Sequence, residues 1–209
     1  MSDKHKNSSI KVKKRSSFLD LSIYIFVRYL LGILSILPYR TKISLGGLIY
    51  QKIFSPLSGN RKRIIDNLKL IFPDLEKRKR EELCSQVPNN IGRTLFELLS
   101  PNAFSNIAKS AKVSGPGFKI LKDAQEQKKP VILVSGHFGN YDVVRVVLNT
   151  NQISVGALYK PMSNPYFNTF YERCIKQIAE PLFPGGRAGM GKMLRYFEVG
   201  HVAALLIHQ

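Results

Sequence analysis

The sequence predicts an α/β protein with an open, mainly parallel sheet and flanking helices, preceded by an N-terminal helical membrane anchor. Three short apolar runs, at residues 131–134, 153–159 and 201–207, are typical of strands. Segments with helical periodicity separate these runs, and alternation of strand and helix favours parallel pairing. A longer apolar run, residues 21–38, precedes them all and predicts the anchor.

Basic residues dominate the start of the chain. Residues 1–17 are polar and cationic, and we expect a disordered tail there. Residues 18–56 form the predicted anchor, whose apolar run contains Arg28. A charged residue in the middle of a spanning helix costs at least ~2.5 kcal/mol, and basic residues flank the run on both sides. We therefore prefer a monotopic or re-entrant helix to a span, with a buried core helix as the remaining alternative.

The net charge of +18 indicates anionic partners. Nucleic acid, phospholipid headgroups and an acidic carrier protein all satisfy that description. The basic residues are scattered and form no recognised nucleic-acid motif, so an anionic membrane surface is preferred over nucleic acid. Cys84 and Cys174 lie far apart, without metal-ligand spacing, and we expect reduced thiols in a protein that faces the cytosol.

Helical periodicity governs the middle of the chain. A Gly-containing helix continues to Pro56, and a second helix opens at Arg61 and breaks at Phe72-Pro73. The remaining predictions up to the central strand are helices over 76–86, 89–99 and 118–127, and a short strand over 111–113.

The central motif follows the apolar run 131–134, which predicts a fully buried strand. His137 stands at the end of this strand, and a helix opens near Asn140 with Asp142 in its first turn. Across this strand–turn–helix junction the Asp carboxylate can hold one imidazole nitrogen while the other accepts a proton. The helix N-terminus offers unpaired N–H groups to a developing anion. The alternative is a surface His and an Asp that merely supports the helix.

A second strand, a helix and a glycine-rich turn follow the motif. Strand 153–159 carries Lys160 at its end, helix 165–178 follows, and residues 183–186 predict a turn before helix 190–197.

Residues 186–192 match the beginning of a phosphate-binding loop. Met193 stands where that loop needs Ser or Thr for Mg²⁺, and no convincing strand is predicted before it, so nucleotide binding is strongly disfavoured.

The segment from His137 to Asp142, His-Phe-Gly-Asn-Tyr-Asp, resembles the H-x4-D/E motif of bacterial lipid A biosynthesis acyltransferases. These late lauroyl and myristoyl transferases belong to the wider lysophospholipid acyltransferase superfamily. Other segments resemble the same family in the same order: residues 61–73 its R…NL…FP segment, 90–97 the following helix, 159–165 its Y-R-P…N-P block, and 186–209 its G-R-x-G…D-Q segment.

The resemblance implies a fold like that of glycerolipid acyltransferases, with residues 57–209 as the acyltransferase domain. It implies transfer of a fatty acyl group from acyl carrier protein to a hydroxyl of a lipid A precursor, at the cytoplasmic face of the bacterial inner membrane. No metal or bound cofactor is implied.

The resemblance also implies roles for particular residues. His137 would be the general base and Asp142 its orienting partner, with backbone amides near Gly139 and Asn140 as oxyanion donors. Lys160, where the family carries Arg, and Arg187 would hold a lipid phosphate or polarise the thioester carbonyl. His208 replaces the Asp of the family's D-Q pair.

Two alternatives accompany this interpretation. The same motif and basic surface suit an enzyme that acylates glycerolipids. Family members continue beyond the strand at which this chain stops, so the C-terminal part of the domain is expected to be missing. A truncated, inactive membrane-surface protein is therefore the non-enzymatic alternative.

Overall fold

A computed structural model describes residues 17–206 of the chain. The predicted basic tail, apart from Ser17, and the His208-Gln209 pair lie outside the described residues. Ser17 itself begins the first helix.

Helices and strands alternate through the second half of the chain. The helices are α1 Ser17–Ser35, α2 Tyr39–Ile49, α3 Ser55–Ser58, α4 Asn60–Ile71, α5 Lys77–Leu98, α6 Pro101–Ala108, α7 Gly117–Glu126, α8 Asp142–Thr150, α9 Pro165–Ile178 and α10 Arg187–Glu198. The strands are β1 Val131–Ser135, β2 Val155–Tyr159, β3 Leu182–Pro184 and β4 Val202–Leu206. A π-helical turn, Tyr50–Phe54, joins α2 to α3.

The described strands form one parallel sheet in the order β1-β4-β2-β3, which confirms the predicted α/β class. The chain crosses from β1 to β2 and β3 through α8 and α9, then returns through α10 to insert β4. Crossover connections between parallel strands are almost always right-handed. A connection that runs back across the sheet in the opposite direction must therefore place its helix on the opposite face of the sheet. Tyr196 of α10 accordingly lies against Gly156 of β2, whereas Val146 and Ile175 of α8 and α9 share a core cluster on the other face.

The prediction of a fully buried central strand was wrong. In β1 the side chains of Ile132 and Val134 are 48% and 63% exposed, while Val131 and Leu133 pack into a core cluster with Leu121. A continuous apolar run is typical of a strand whose sheet is covered on both faces. Strand β1 lies at the edge of the sheet, next to β4, and one of its faces is open. Among the described residues, only the face toward α7 and α8 is covered along this strand.

One long helix, α5, replaces the two helices predicted over 76–86 and 89–99. It runs through the buried Pro88, although an interior proline costs about 3 kcal/mol. Glycines on α2 and α5 let the two helices approach closely, since a Cβ on Gly46 would overlap the ring of Phe96 and one on Gly92 would overlap Tyr50. This packing explains how the helix stays continuous across the proline.

Three smaller elements also differ from prediction. Residues 111–113 form no strand, and α6 occupies a stretch where no element was predicted. The expected turn at 183–186 begins with the short edge strand β3, which pairs with β2 through Ala157 and Leu182. A strand therefore does precede the glycine-rich segment, but Gly189 and Gly191 lie inside α10 rather than in a loop.

The N-terminal helix α1 packs along α9. Tyr24 stacks on Tyr166 with ring centroids 6.3 Å apart, and the Arg28 guanidinium lies 4.3 Å from the centroid of the Phe170 ring. Of the described helices, α1 is long and apolar enough to cross a membrane by length and composition, and little of it is buried. The Arg28 guanidinium of α1 therefore contacts α9, although the residue remains exposed.

Candidate active site

The candidate site lies at the carboxyl end of the sheet, where β1 gives way to a short loop. His137 follows β1 after Gly136, and its imidazole is exposed. The Tyr141 ring stands edge-on to the imidazole with centroids 5.1 Å apart. Gly139 adopts a φ of 55°, a left-handed conformation that reverses the chain toward α8 with little strain in glycine. The loop thus presents His137 beside the start of a helix.

Asn140 fixes the loop from both sides. Its side-chain oxygen accepts a hydrogen bond from the backbone N of Asp142 at 3.1 Å, which satisfies one of the free N–H groups at the start of α8. Its amide nitrogen donates to Glu97 Oε2 at 2.9 Å. Glu97 also accepts a hydrogen bond from the Tyr39 hydroxyl at 3.3 Å, so α2, α5 and the loop meet at one carboxylate.

Asp142 is held by an ion pair beneath the loop. Its Oδ1 accepts a hydrogen bond from Arg145 Nη1 at 2.8 Å, and both side chains are buried, at 4% and 6% exposure. Arg145 also donates from Nη2 to the carbonyl of Ala179 at the end of α9. A buried pair with these extra bonds is rigid, and removal of either partner leaves an uncompensated charge.

Two cavities meet at His137 in the described part of the chain. The first, about 710 Å³, lies toward α5 and has a polar wall that includes Asn90, Arg93 and Glu97. The second, about 760 Å³, lies over the sheet and is lined mainly by aliphatic side chains of β1, β2 and β4. Their volumes fall in the usual range for small-molecule sites. Tyr141 and Tyr171 also line both cavities, so His137 lies at the junction.

The structure brings most of the predicted site residues to this junction. His137, Asp142 and Lys160 line the sheet cavity, and His137, Gly139 and Asn140 line the polar cavity. Arg187 is exposed at the start of α10 and does not line either cavity as described.

Sequence reasoning missed two charged residues that position the motif. Arg145 was hidden in an apolar helical run, although its spacing of three residues from Asp142 places both on one helix face. Glu97 lies in the helical segment 90–97, and no local signal links it to a loop 43 residues away. A contact between residues so far apart in the sequence can be recognised only once the fold is known.

The tyrosines at the junction remain protonated over the physiological range. Burial is the main cause that raises the pKa of Tyr141, and the nearby Asp142 carboxylate adds to the effect. Burial likewise raises the pKa of Tyr171, with Tyr141 and Asp142 adding to the effect. Both hydroxyls are therefore hydrogen-bond donors at neutral pH. No group of His, Cys, Asp or Glu residues among those described is large enough to suggest a metal centre.

The Asn164-Pro165 pair has a structural role. The Asn164 side chain accepts a hydrogen bond from the N of Phe167 at 3.1 Å and so caps α9, and Pro165 occupies the first turn. The same side chain donates to the Asp20 carbonyl of α1 at 2.7 Å. This block therefore fastens the N-terminal helix to the helix behind the site.

The protein has an open parallel sheet with cavities at the carboxyl ends of its strands, which is the edge where open α/β proteins bind their ligands. The family model described as bacterial lipid A biosynthesis acyltransferase matches residues 9–206, and the chain belongs to that family. Membership indicates acyl transfer in lipid A synthesis, which requires an acyl donor and a lipid A precursor. Among curated proteins, no match to the chain is found.

Proposed function

We propose that the protein transfers a fatty acyl group from acyl carrier protein to a hydroxyl of a lipid A precursor, with His137 as the general base. The observation that carries the proposal is the exposed imidazole at the junction of a polar and an aliphatic cavity. Family membership supplies the reaction class.

The proposed chemistry proceeds in two steps. His137 removes the proton from the acceptor hydroxyl as the oxygen attacks the thioester carbonyl, which forms a tetrahedral oxyanion. Backbone N–H groups near Gly139 and Asn140 stabilise that oxyanion beside the N-terminus of α8. Collapse of the intermediate breaks the carbon–sulfur bond, and the imidazolium returns its proton to the departing thiolate. The products are the ester and the free thiol of the carrier.

The two cavities suit the two substrates. Leu133, Leu158 and Leu206 belong to the aliphatic lining of the sheet cavity, which matches a hydrocarbon chain. Asn90 and Arg93 in the polar cavity offer hydrogen bonds to sugar hydroxyls and amides. We therefore assign the acyl chain to the sheet cavity and the acceptor sugar to the polar cavity, with the reacting atoms at His137.

Asp142 supports the imidazolium electrostatically in this mechanism. The carboxylate lines the same cavity as His137, and Arg145 holds one of its oxygens in place. Lys160 lies at the end of β2 in that cavity, where its ammonium is suited to the thioester carbonyl or a phosphate. Arg187 is assigned to an approaching carrier protein or headgroup rather than to the reacting atoms, because it lies outside both cavities.

The proposed location is the cytoplasmic face of the bacterial inner membrane. The outward face of α1 is apolar, with Phe18, Phe26 and Tyr29 strongly exposed, while Arg28 packs on α9. Such a helix suits the interfacial plane, with basic residues near anionic headgroups. This arrangement leaves the sheet cavity beside the cytosol, where an acyl carrier protein is found.

The test is product analysis with paired donors and acceptors. Membranes containing the full chain receive acyl carrier protein thioester with either a lipid A precursor or lysophosphatidic acid, and mass spectrometry identifies the product. The proposal predicts an acylated lipid A precursor. Phosphatidic acid as the dominant product would instead establish a glycerolipid acyltransferase, and no product from either acceptor would support the inactive membrane-surface alternative.

A further inference from the structure

A third cavity, of about 440 Å³, lies between α1, α2, α6 and α9 and shares no lining residue with the two at His137. The opposite face of α9 forms one wall, since Phe170, Arg173 and Cys174 line this cavity whereas Tyr171 and Ile175 line the others. The reaction proposed above makes no use of this space.

The charge of this cavity is entirely positive among the described residues that line it. Arg28 enters from α1, Lys42 from α2 and Arg173 from α9, and no Asp or Glu is part of the lining. Arg28 and Arg173 are exposed, whereas Lys42 is buried. Like charges that line one cavity repel one another, so an anion bound there stabilises the arrangement.

Lys42 is the least expected of these residues. Its side chain is 9% exposed, and among the described residues no hydrogen bond or ion pair engages its ammonium group. Burial lowers the pKa of this lysine, with no neighbouring carboxylate to oppose the effect. Buried lysines are ordinarily paired because desolvation of the charge is costly.

The N-terminus of α6 opens into the same cavity. Ser100, Pro101, Asn102 and Ala103 all line it, and Ser100 provides no side-chain hydrogen bond to cap the helix. The first-turn amides of Asn102 and Ala103 have no acceptor within their own helix. A helix N-terminus favours negative charge through these amides and its dipole.

We propose that this cavity binds a phosphate group of an anionic lipid. Lys42 and Arg173 supply charge-assisted hydrogen bonds, and the α6 amides bind the remaining phosphate oxygens. Arg28 stays stacked on Phe170 and adds positive charge from the side. A lipid is the preferred source because α1, whose outward face is apolar, forms one wall, so the acyl chains of the lipid can lie along that helix.

The test is titration of the full chain in detergent with water-soluble, short-chain phosphatidic acid, followed by calorimetry. Lys42→Met should weaken binding roughly tenfold or more, since it removes a charge-assisted hydrogen bond while keeping a long apolar side chain. Lys52→Met is the matched control, because Lys52 is exposed on the adjacent π-helical turn and lies outside the cavity. This control should bind as the wild type does.

Two further measurements distinguish the source of the anion and control for misfolding. Inorganic phosphate should bind the wild type more weakly than the lipid does, and Lys42→Met should weaken its binding as well. If phosphate and the lipid bind with equal affinity, the cavity is a site for free phosphate and the assignment to a lipid is wrong. Arg173→Gln, at an exposed position, should also weaken binding without disturbing the fold. The proposal is overturned if Lys42→Met binds the lipid as tightly as the wild type does, or if it loses no more affinity than Lys52→Met. The readout is binding, so it is independent of acyl transfer.

Discussion

At the scale of single residues, the site depends on two carboxylates with different tasks. Glu97 joins the Tyr39 hydroxyl to the Asn140 amide and so fixes the loop that carries His137. Asp142 lies beneath the loop, paired with Arg145. The first carboxylate sets the position of the loop, whereas the second, in our proposal, sets the electrostatic environment of the imidazole.

Removal of Arg145 should destabilise the fold strongly. Arg145→Leu leaves the Asp142 carboxylate buried without its cation, and we expect a loss of about 3–5 kcal/mol in the free energy of unfolding. Denaturant unfolding followed by circular dichroism measures the change. The double variant Asp142→Asn with Arg145→Leu should recover part of the loss, because no bare charge then remains. A single variant as stable as the wild type would contradict the assignment of this pair.

At the scale of elements, periodicity predicted most helices and the three longer strands. The motif at β1 was placed correctly because an apolar run, a Gly-containing turn and a helix start are all local signals. The α5 helix was predicted as two helices because Pro88 normally ends a helix, and only its packing on α2 explains its continuity. Strand β3 was missed because a three-residue edge strand ending in proline resembles a turn.

The same local signals predicted that several candidate residues lie together, but they did not reveal the residues that position them. His137, Asp142 and Lys160 follow strand ends or helix starts, so their convergence could be predicted from the parallel topology. Glu97 and Arg145 act through contacts with other elements, and Arg187 follows an edge strand whose distance from the cavities could not be predicted. The exposure of Val134 likewise depends on which elements cover the sheet.

The glycine contact between α2 and α5 should be sensitive to a single methyl group. Gly92→Ala places a Cβ against Tyr50 and 2.9 Å from the carbonyl oxygen of Gly46, so we expect a loss of about 1–3 kcal/mol in unfolding free energy. Gly32→Ala is the control, because no described atom beyond the neighbouring backbone of its own helix lies within 4 Å of its Cβ position, and it should gain up to about 1 kcal/mol. Equal stability of the two variants, measured by thermal unfolding, would argue against close helix packing here.

At the scale of the whole molecule, one face of the N-terminal helix is left uncovered by the part of the chain that the structure describes. Residues 18, 25, 26, 29 and 33 of α1 are exposed, largely apolar and spaced so that they share one side of the helix, while Tyr24 and Arg28 contact α9. A protein with a net charge of +18 and such a stripe combines apolar insertion with attraction to anionic lipids. These features support the proposed interfacial orientation.

Polar substitutions in this stripe should release the protein from vesicles. Ile25→Ser combined with Tyr29→Ser removes two side chains expected to insert, and full burial of the isoleucine alone contributes about 1.5–3 kcal/mol. We expect the bound fraction in flotation with anionic vesicles to fall more than about tenfold. Leu70→Ser, an exposed leucine on α4, is the control and should float as the wild type does. Unchanged flotation of the double variant would contradict an interfacial α1.

The most direct measurement of the proposed chemistry is the rate of acyl transfer from acyl carrier protein to a lipid A precursor by His137→Ala. Loss of a general base predicts a fall of about 10²–10⁴-fold with the fold retained. Val134→Thr is the control, because Val134 is an exposed residue of β1 that does not line the cavity over the sheet, and this variant should keep the wild-type rate. A wild-type rate in His137→Ala would show that the imidazole at the junction of the two cavities is not the base.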